Sequence, residues 1–167
     1  MTEIWIANAS PIIVLAKIEK LDLLLAGDRS LLIPEAVARE ILEAPAQDPA
    51  RRILESGWGS KPVSITPHPD VLEWGLGAGE SAVLSLAREQ NGVALVDDRA
   101  ARIACKALGI TYIGTLGIVL RSRLKGQISS SVEILKALRQ VGLHLDDHVI
   151  QTALLKVTVT AITNPTP

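Results

Sequence analysis

The sequence predicts an α/β fold: a three-layer α/β/α sandwich around a central, mainly parallel, five-stranded sheet. Short apolar runs alternate with amphipathic segments from end to end, the pattern of strands joined by crossover helices. The 167 residues are 48% hydrophobic, enough to build one self-sufficient core. No internal repeat or low-complexity block interrupts the alternation. Aromatic residues supply only 2%, so the core is expected to be aliphatic.

Taken in order, Ile4–Ala7 forms the first strand, and Leu15–Leu25 holds one or two helical turns packed on it. Leu31–Ile33 is a second short strand, stopped by Pro34, whose fixed φ suits the first turn of a helix over Glu35–Ala44. In "AQDPARRILESGW", Asp48 is placed to cap a helix that opens with Pro49. Pro62–Ile65, bracketed by prolines, is expected as an edge strand. A helix over Gly79–Gln90 leads into the strand Val93–Val96. The next helix stops at Gly109, Thr111–Ile113 supplies the fifth strand, and helices follow at Leu116–Lys125, Ser131–Val141 and Asp147–Lys156. Residues 1–157 are thus expected to form a single domain, with its core at about 4–128 and a helical extension at 129–157. "TNPTP" has two prolines and no apolar anchor, so 158–167 reads as a loose tail.

A net charge of −1 argues against nonspecific wrapping of nucleic acid by overall basicity, while leaving room for a local basic rim. The single cysteine, Cys105, excludes an intrachain disulfide and a cysteine-rich zinc site, and its place on an apolar helix edge makes it a small buried hydrophobe. "MTEIWIANASPIIVLAK" lacks a basic start, and Asn8, Ser10 and Pro11 interrupt its apolar run. Neither a signal peptide nor a membrane span is expected, and the protein reads as cytoplasmic.

Open parallel sheets bind ligands beyond the C-terminal ends of their strands. That rule selects Asn8 and Ser10 after the first strand, Asp97 and Asp98 after the fourth, and Gly114 and Thr115 after the fifth. On a helical wheel of "GAGESAVLSLAREQ", Glu80 falls inside the apolar stripe with Val83, Leu84 and Ala87. A carboxylate there needs a partner, unless the free amides at the helix start supply one. Glu40 flanks the apolar face of its helix, and by itself reads as a solvated rim. The pair in "VALVDDRAAR" divides by geometry: Asp98 sits at the N-cap of the following helix, whereas Asp97 ends the strand and points into the crevice. Glu80 and Asp97, with Glu40 as a third, make an oxygen-rich site without an obvious lysine, suited to Mg²⁺ or Mn²⁺. Such an ion polarises a phosphoryl oxygen and lowers the pKa of bound water, the chemistry of metal-assisted phosphodiester cleavage.

The segments "IANASPIIVLAKIEKLDLL", "IPEAVAREI", "LGAGESAVLSLA", "ALVDDRAARIACKALGI" and "IGTLGIVLRSRLKGQI" together resemble the PIN-domain superfamily, and more narrowly its prokaryotic VapC-toxin-like branch. The resemblance runs from about Ile4 to Ile128. It implies a PIN-like sandwich and an acidic cluster that binds Mg²⁺ or Mn²⁺. It also implies single-strand-specific ribonuclease activity, often as the toxin of a toxin–antitoxin pair. Carried over by position, the catalytic and metal-binding set is Asn8, Glu40, Glu80 and Asp97, with Asp98 beside them and Ser10 and Thr115 in support. Asn8 departs from the aspartate that many members carry there: its amide oxygen ligates, but supplies no charge and cannot act as a base.

Arg99, Arg102 and Arg121 are the candidates for RNA contacts, with a solvated helix face as their alternative reading. Few aromatics are available for base stacking. "HLDDH" reads as a helix start capped by Asp146 or Asp147 rather than as a metal site at His144 and His148. "GAGES" and "GTLG" lack the spacing of phosphate loops. The expected function is a metal-dependent endoribonuclease, a homodimeric toxin. The alternative is a catalytically weak PIN-like module that binds RNA or a small antitoxin-like protein, and a phosphotransfer role is disfavoured because Asn8 is a poor phosphoacceptor.

Overall fold

A computed structural model of the chain describes residues 2–163, with side chains through Leu155. Four parallel strands, β1 (Glu3–Ala7), β2 (Arg29–Leu32), β3 (Val93–Leu95) and β4 (Tyr112–Ile113), lie in the order β2-β1-β3-β4. Trp5 pairs with Leu31 on one side of β1 and with Val93 on the other, and Leu95 pairs with Ile113. The strand order reverses at β1, so the topological switch point opens beyond the C-terminal ends of β1 and β3.

The expected edge strand Pro62–Ile65 is reduced to an isolated parallel bridge between Pro34 and Val63. Val63 exchanges hydrogen bonds with Ile33 and Glu35. Pro62 and Pro34 have no N–H with which to extend the ladder.

The helices are α1 (Ala9–Lys17), α2 (Asp22–Leu25), α3 (Glu35–Leu42), α4 (Pro49–Glu55), α5 (Pro69–Leu72), α6 (Ala78–Gln90), α7 (Arg99–Leu108), α8 (Thr115–Leu124), α9 (Ser131–Gln140) and α10 (Asp147–Thr163). Local chemistry explains several ends. Asp48 Oδ1 accepts from the amides of Ala50 and Arg51 to start α4, and Asp98 Oδ2 accepts from Ala101 to start α7. Gly109 takes a left-handed conformation to stop α7, where a Cβ would be strained.

Two helices differ from expectation. α1 begins at Ala9, immediately after β1, because Pro11 falls in its first turn, where a missing N–H costs nothing. α10 continues past Lys156 to Thr163, so the expected loose tail is helical that far, and 164–167 lies outside the described residues.

The sheet is flanked by helices. α6 packs on β1 and β3, with α1, α3 and α4 contacting one another on its side, while α8 contacts α2, α9 and α10. The core is aliphatic as composition required, with one exception: Trp5, on the central strand, is wholly buried. Cys105 is buried too, and burial pushes its thiol up to about 11, which makes it inert as a nucleophile. α7 buries Ala101, Ala104 and Cys105 and leaves Ile103 50% exposed, so its buried face is narrow. Among the described residues no helix is long and apolar enough to cross a membrane.

Candidate metal-binding active site

The turn that ends β1 sets the floor of the crevice. The Asn8 amide N–H donates to the Leu95 carbonyl at 3.1 Å, clamping this turn to the end of β3. Asn8 is itself buried at the N-cap position of α1, yet its side chain does not cap that helix. Instead Nδ2 donates to Glu80 Oε1 at 3.2 Å, which aims the amide oxygen away from Glu80. Oδ1 is buried and has no hydrogen-bond partner among the described residues. An orphan acceptor is costly in a folded interior, so its retention points to a ligand.

Glu40, from α3, and Gly79, from α6, complete this side. A Cβ on Gly79 would stand 2.9 Å from Glu40 Oε2 and 3.2 Å from Asn8 Oδ1, so the bare glycine is what lets these two oxygens approach the helix. Gly77, at the N-cap of α6, plays the same part for Glu80: a Cβ there would stand 2.6 Å from Oε2. The Glu40 carboxyl is pushed above its ordinary range, first by burial of the group against α6, then by the charges on Glu80 and Glu43. The Glu80 and Glu43 charges thus add to burial in disfavouring the ionised form of Glu40.

Asp97 is held differently. Its Oδ1 accepts from the Thr115 N–H at 2.7 Å, and its Oδ2 accepts from Thr115 Oγ1 at 2.7 Å and Ser10 Oγ at 2.9 Å. Thr115 is wholly buried at the first position of α8, so Asp97 caps that helix from the end of β3. Gly114, the N-cap residue, allows this, because a Cβ there would stand 3.2 Å from Asp97 Oδ1. The sequence alone offered no structural role for Asp97; the fold gives it one.

Asn8, Ser10, Glu80, Asp97 and Asp98 line one crevice of about 740 Å³. Asp98 spends one oxygen on capping α7 and presents the other at the rim. Arg99 and Arg102 line the same crevice. Arg121, expected as an RNA contact, does not: it pairs through both outer nitrogens with Glu3, at 2.9 and 3.1 Å, beside the buried Trp5 ring. Glu3 begins β1, so Arg121 stands at the opposite pole of the sheet. Sequence reasoning missed Gly77 and Gly79. It also missed a wall that Leu143, His144 and Leu145 contribute from the connection between α9 and α10. "GAGE" before an apolar helix was the available signal for the glycines; nothing local marked the wall.

Among the described residues no group of three or more His, Cys, Asp or Glu side chains is placed to hold a metal ion. Mg²⁺ and Mn²⁺ do not need one, since they retain waters and use one or two carboxylates. The unsatisfied Asn8 Oδ1, the paired charges of Glu40 and Glu80, and the space kept open by Gly79 fit such an open, oxygen-lined site. The Asp146 side chain accepts from the Val149 amide and so starts α10, consistent with "HLDDH" as a helix entry. A family model for the PIN domain matches residues 4–158, and no curated protein matches the chain.

Proposed function

The chain belongs to the PIN-domain family, and from that premise we propose that it is a divalent-metal-dependent endoribonuclease that hydrolyses RNA phosphodiester bonds. PIN domains have a nuclease-type fold and generally use divalent metal ions. The observation that carries the reading is the buried, unpartnered Asn8 Oδ1 set between two carboxylates, Glu40 and Glu80, that have no cation of their own.

Glu40, Glu80 and Asn8 Oδ1 would hold the ion, with Asp97 beside them. When bound, Mg²⁺ or Mn²⁺ supplies Lewis acidity toward a phosphoryl oxygen and a lowered pKa for water. The protein's own part is positioning. Glu80 fixes the Asn8 amide, leaving its oxygen beside Gly79 of α6, and Thr115 and Ser10 fix Asp97. Arg99 and Arg102 offset phosphate charge at the rim. In this reading the chain acts as a cytoplasmic toxin countered by a small antitoxin-like protein.

The test is Mn²⁺-dependent cleavage of single-stranded RNA by the purified protein and by Glu80→Gln. The wild type cleaves and the variant does not; equal cleavage by both would sink the assignment. Asp97→Asn is the poorer probe, because it also disturbs the cap of α8.

A second reading is favoured by a separate groove of about 1060 Å³ between the α1–α2 turn and α4, lined by Ile18, Leu21, Leu25, Ile53 and Trp58. Its apolar floor suits an amphipathic segment of a partner protein, so the chain would be a binding module with little catalysis of its own. A homodimer is compatible with either reading. Divalent-ion titration followed by thermal shift separates them: no stabilisation at millimolar Mn²⁺ favours the binding module.

A further inference from the structure

One wall of the crevice comes from the connection between α9 and α10. Residues 142–146 join α9 to α10, and their side chains alternate: Leu143 is buried, His144 exposed, Leu145 partly buried, Asp146 exposed. Alternation of this kind is what an extended segment shows when one face packs on a core.

The segment is tied at both ends. The Leu143 N–H donates to the Leu138 carbonyl at 3.0 Å, and Asp146 accepts from Val149 at 2.8 Å through its side chain and from Ile150 at 3.1 Å through its carbonyl. Two leucine anchors therefore hold His144 over the crevice on a short, fixed span.

His144 makes no hydrogen bond or ion pair with any described residue, although Asp97, Asp98, Arg99 and Arg102 line the same crevice. Arg99 and Arg102 likewise form no ion pair with the nearby acids among the described residues. An imidazole both donates and accepts, so an exposed His144 on the crevice wall can hydrogen-bond a ligand bound there.

We propose that the α9–α10 connection is the second wall of the substrate crevice, and that His144 is a substrate-contact residue that hydrogen-bonds the RNA strand opposite the acids. This rests on the nuclease reading above and adds a residue to it. The segment packs Leu143 and Leu145 against the core and presents two polar side chains, His144 and Asp146, of which Asp146 is engaged in capping α10. Arg99 and Arg102 meet phosphates by charge, whereas His144 contributes a directional bond that salt does not screen away.

The experiment measures fluorescence anisotropy of a short labelled single-stranded RNA in EDTA, so that binding is read without cleavage. It compares the wild-type protein, His144→Ala, His144→Gln and Arg102→Gln at low and high salt. His144→Ala weakens binding about fivefold, the size of one hydrogen bond, at both salt concentrations. His144→Gln, which keeps a donor and an acceptor, recovers part of that loss. Arg102→Gln weakens binding chiefly at low salt and flattens the salt dependence.

Thermal melts of the variants matching the wild type confirm that an exposed side chain was removed without unfolding the wall. Equal binding by the wild type and His144→Ala overturns the role of His144 and leaves the nuclease reading standing. A wild type that binds no RNA in EDTA and none after Mn²⁺ is restored overturns both.

Discussion

On one side of the crevice Asp97 accepts three hydrogen bonds, from Thr115 N, Thr115 Oγ1 and Ser10 Oγ. On the other, Glu80 accepts one, from Asn8, while Asn8 Oδ1 has none; Glu40, on α3, lies outside the crevice lining, and its carboxyl is pushed upward by partial burial and by its acidic neighbours. The two sides lie at the ends of adjacent strands, β1 and β3. Asp97 is satisfied by the protein and therefore supports the fold as well as the site. The Asn8–Glu40–Glu80 side accepts a single hydrogen bond, and it is the side on which we propose that the ion binds. An acid's burial alone does not separate these cases; its hydrogen-bond partners do.

The largest effect should come from breaking the satisfied side. Asp97→Ala leaves the buried Thr115 and Ser10 donors without an acceptor and removes the cap of α8. We expect a loss of about 3 kcal/mol in urea unfolding, whatever metal is present. Stability unchanged within error would show that Asp97 is not the fold's concern.

On the unsatisfied side, Glu80→Gln should reverse the balance of effects. Mn²⁺-dependent RNA cleavage falls roughly a hundredfold, as expected for removal of one ligand, while the urea midpoint moves by less than that of Asp97→Ala. A variant that unfolds as readily as Asp97→Ala would erase the contrast.

Asn8→Asp sharpens the comparison further. A buried carboxylate beside Glu80 destabilises the metal-free protein, and the added charge should tighten Mn²⁺ binding roughly tenfold by calorimetry. An unchanged affinity would mean that position 8 does not face the ion.

The smallest effect concerns Glu40. Its pKa is raised in the folded protein, so its contribution to stability is fully present below the unfolded glutamate range and is lost as pH rises through the folded value. Glu40→Gln should therefore be more stable than the wild type at neutral pH, by about 0.5 kcal/mol after solvent screening, with the advantage vanishing in acid. Thermal melts across that range check it, and a constant difference at all pH values would contradict the assignment.

Much of this molecule is legible along short stretches of chain. Asp48 before Pro49, Asp98 before Arg99 and Gly109 after Leu108 each fix a helix end by chemistry that spans a few residues, and each stands where its local signal places it. The alternation of apolar runs and amphipathic segments likewise determined an α/β chain with a parallel sheet, and the strand-end rule brought Asn8, Asp97 and Thr115 together. The edge strand Pro62–Ile65 was overestimated because a β ladder needs paired amides on two segments, and prolines stood on both.

What the sequence could not order were the relations among distant groups. Asn8 meets Glu80 across 72 residues of chain, and Ser10 meets Asp97 across 87. Which acid is saturated, and which is left wanting a partner, follows from those meetings alone. Arg121 was drawn to Glu3 at the far pole, and His144, read in "HLDDH" only as part of a helix entry, was carried to the crevice by its leucine neighbours. Caps, turns and periodicity are set by neighbours on the chain. The site's charge balance is set by neighbours in space, and only the packed structure decides those.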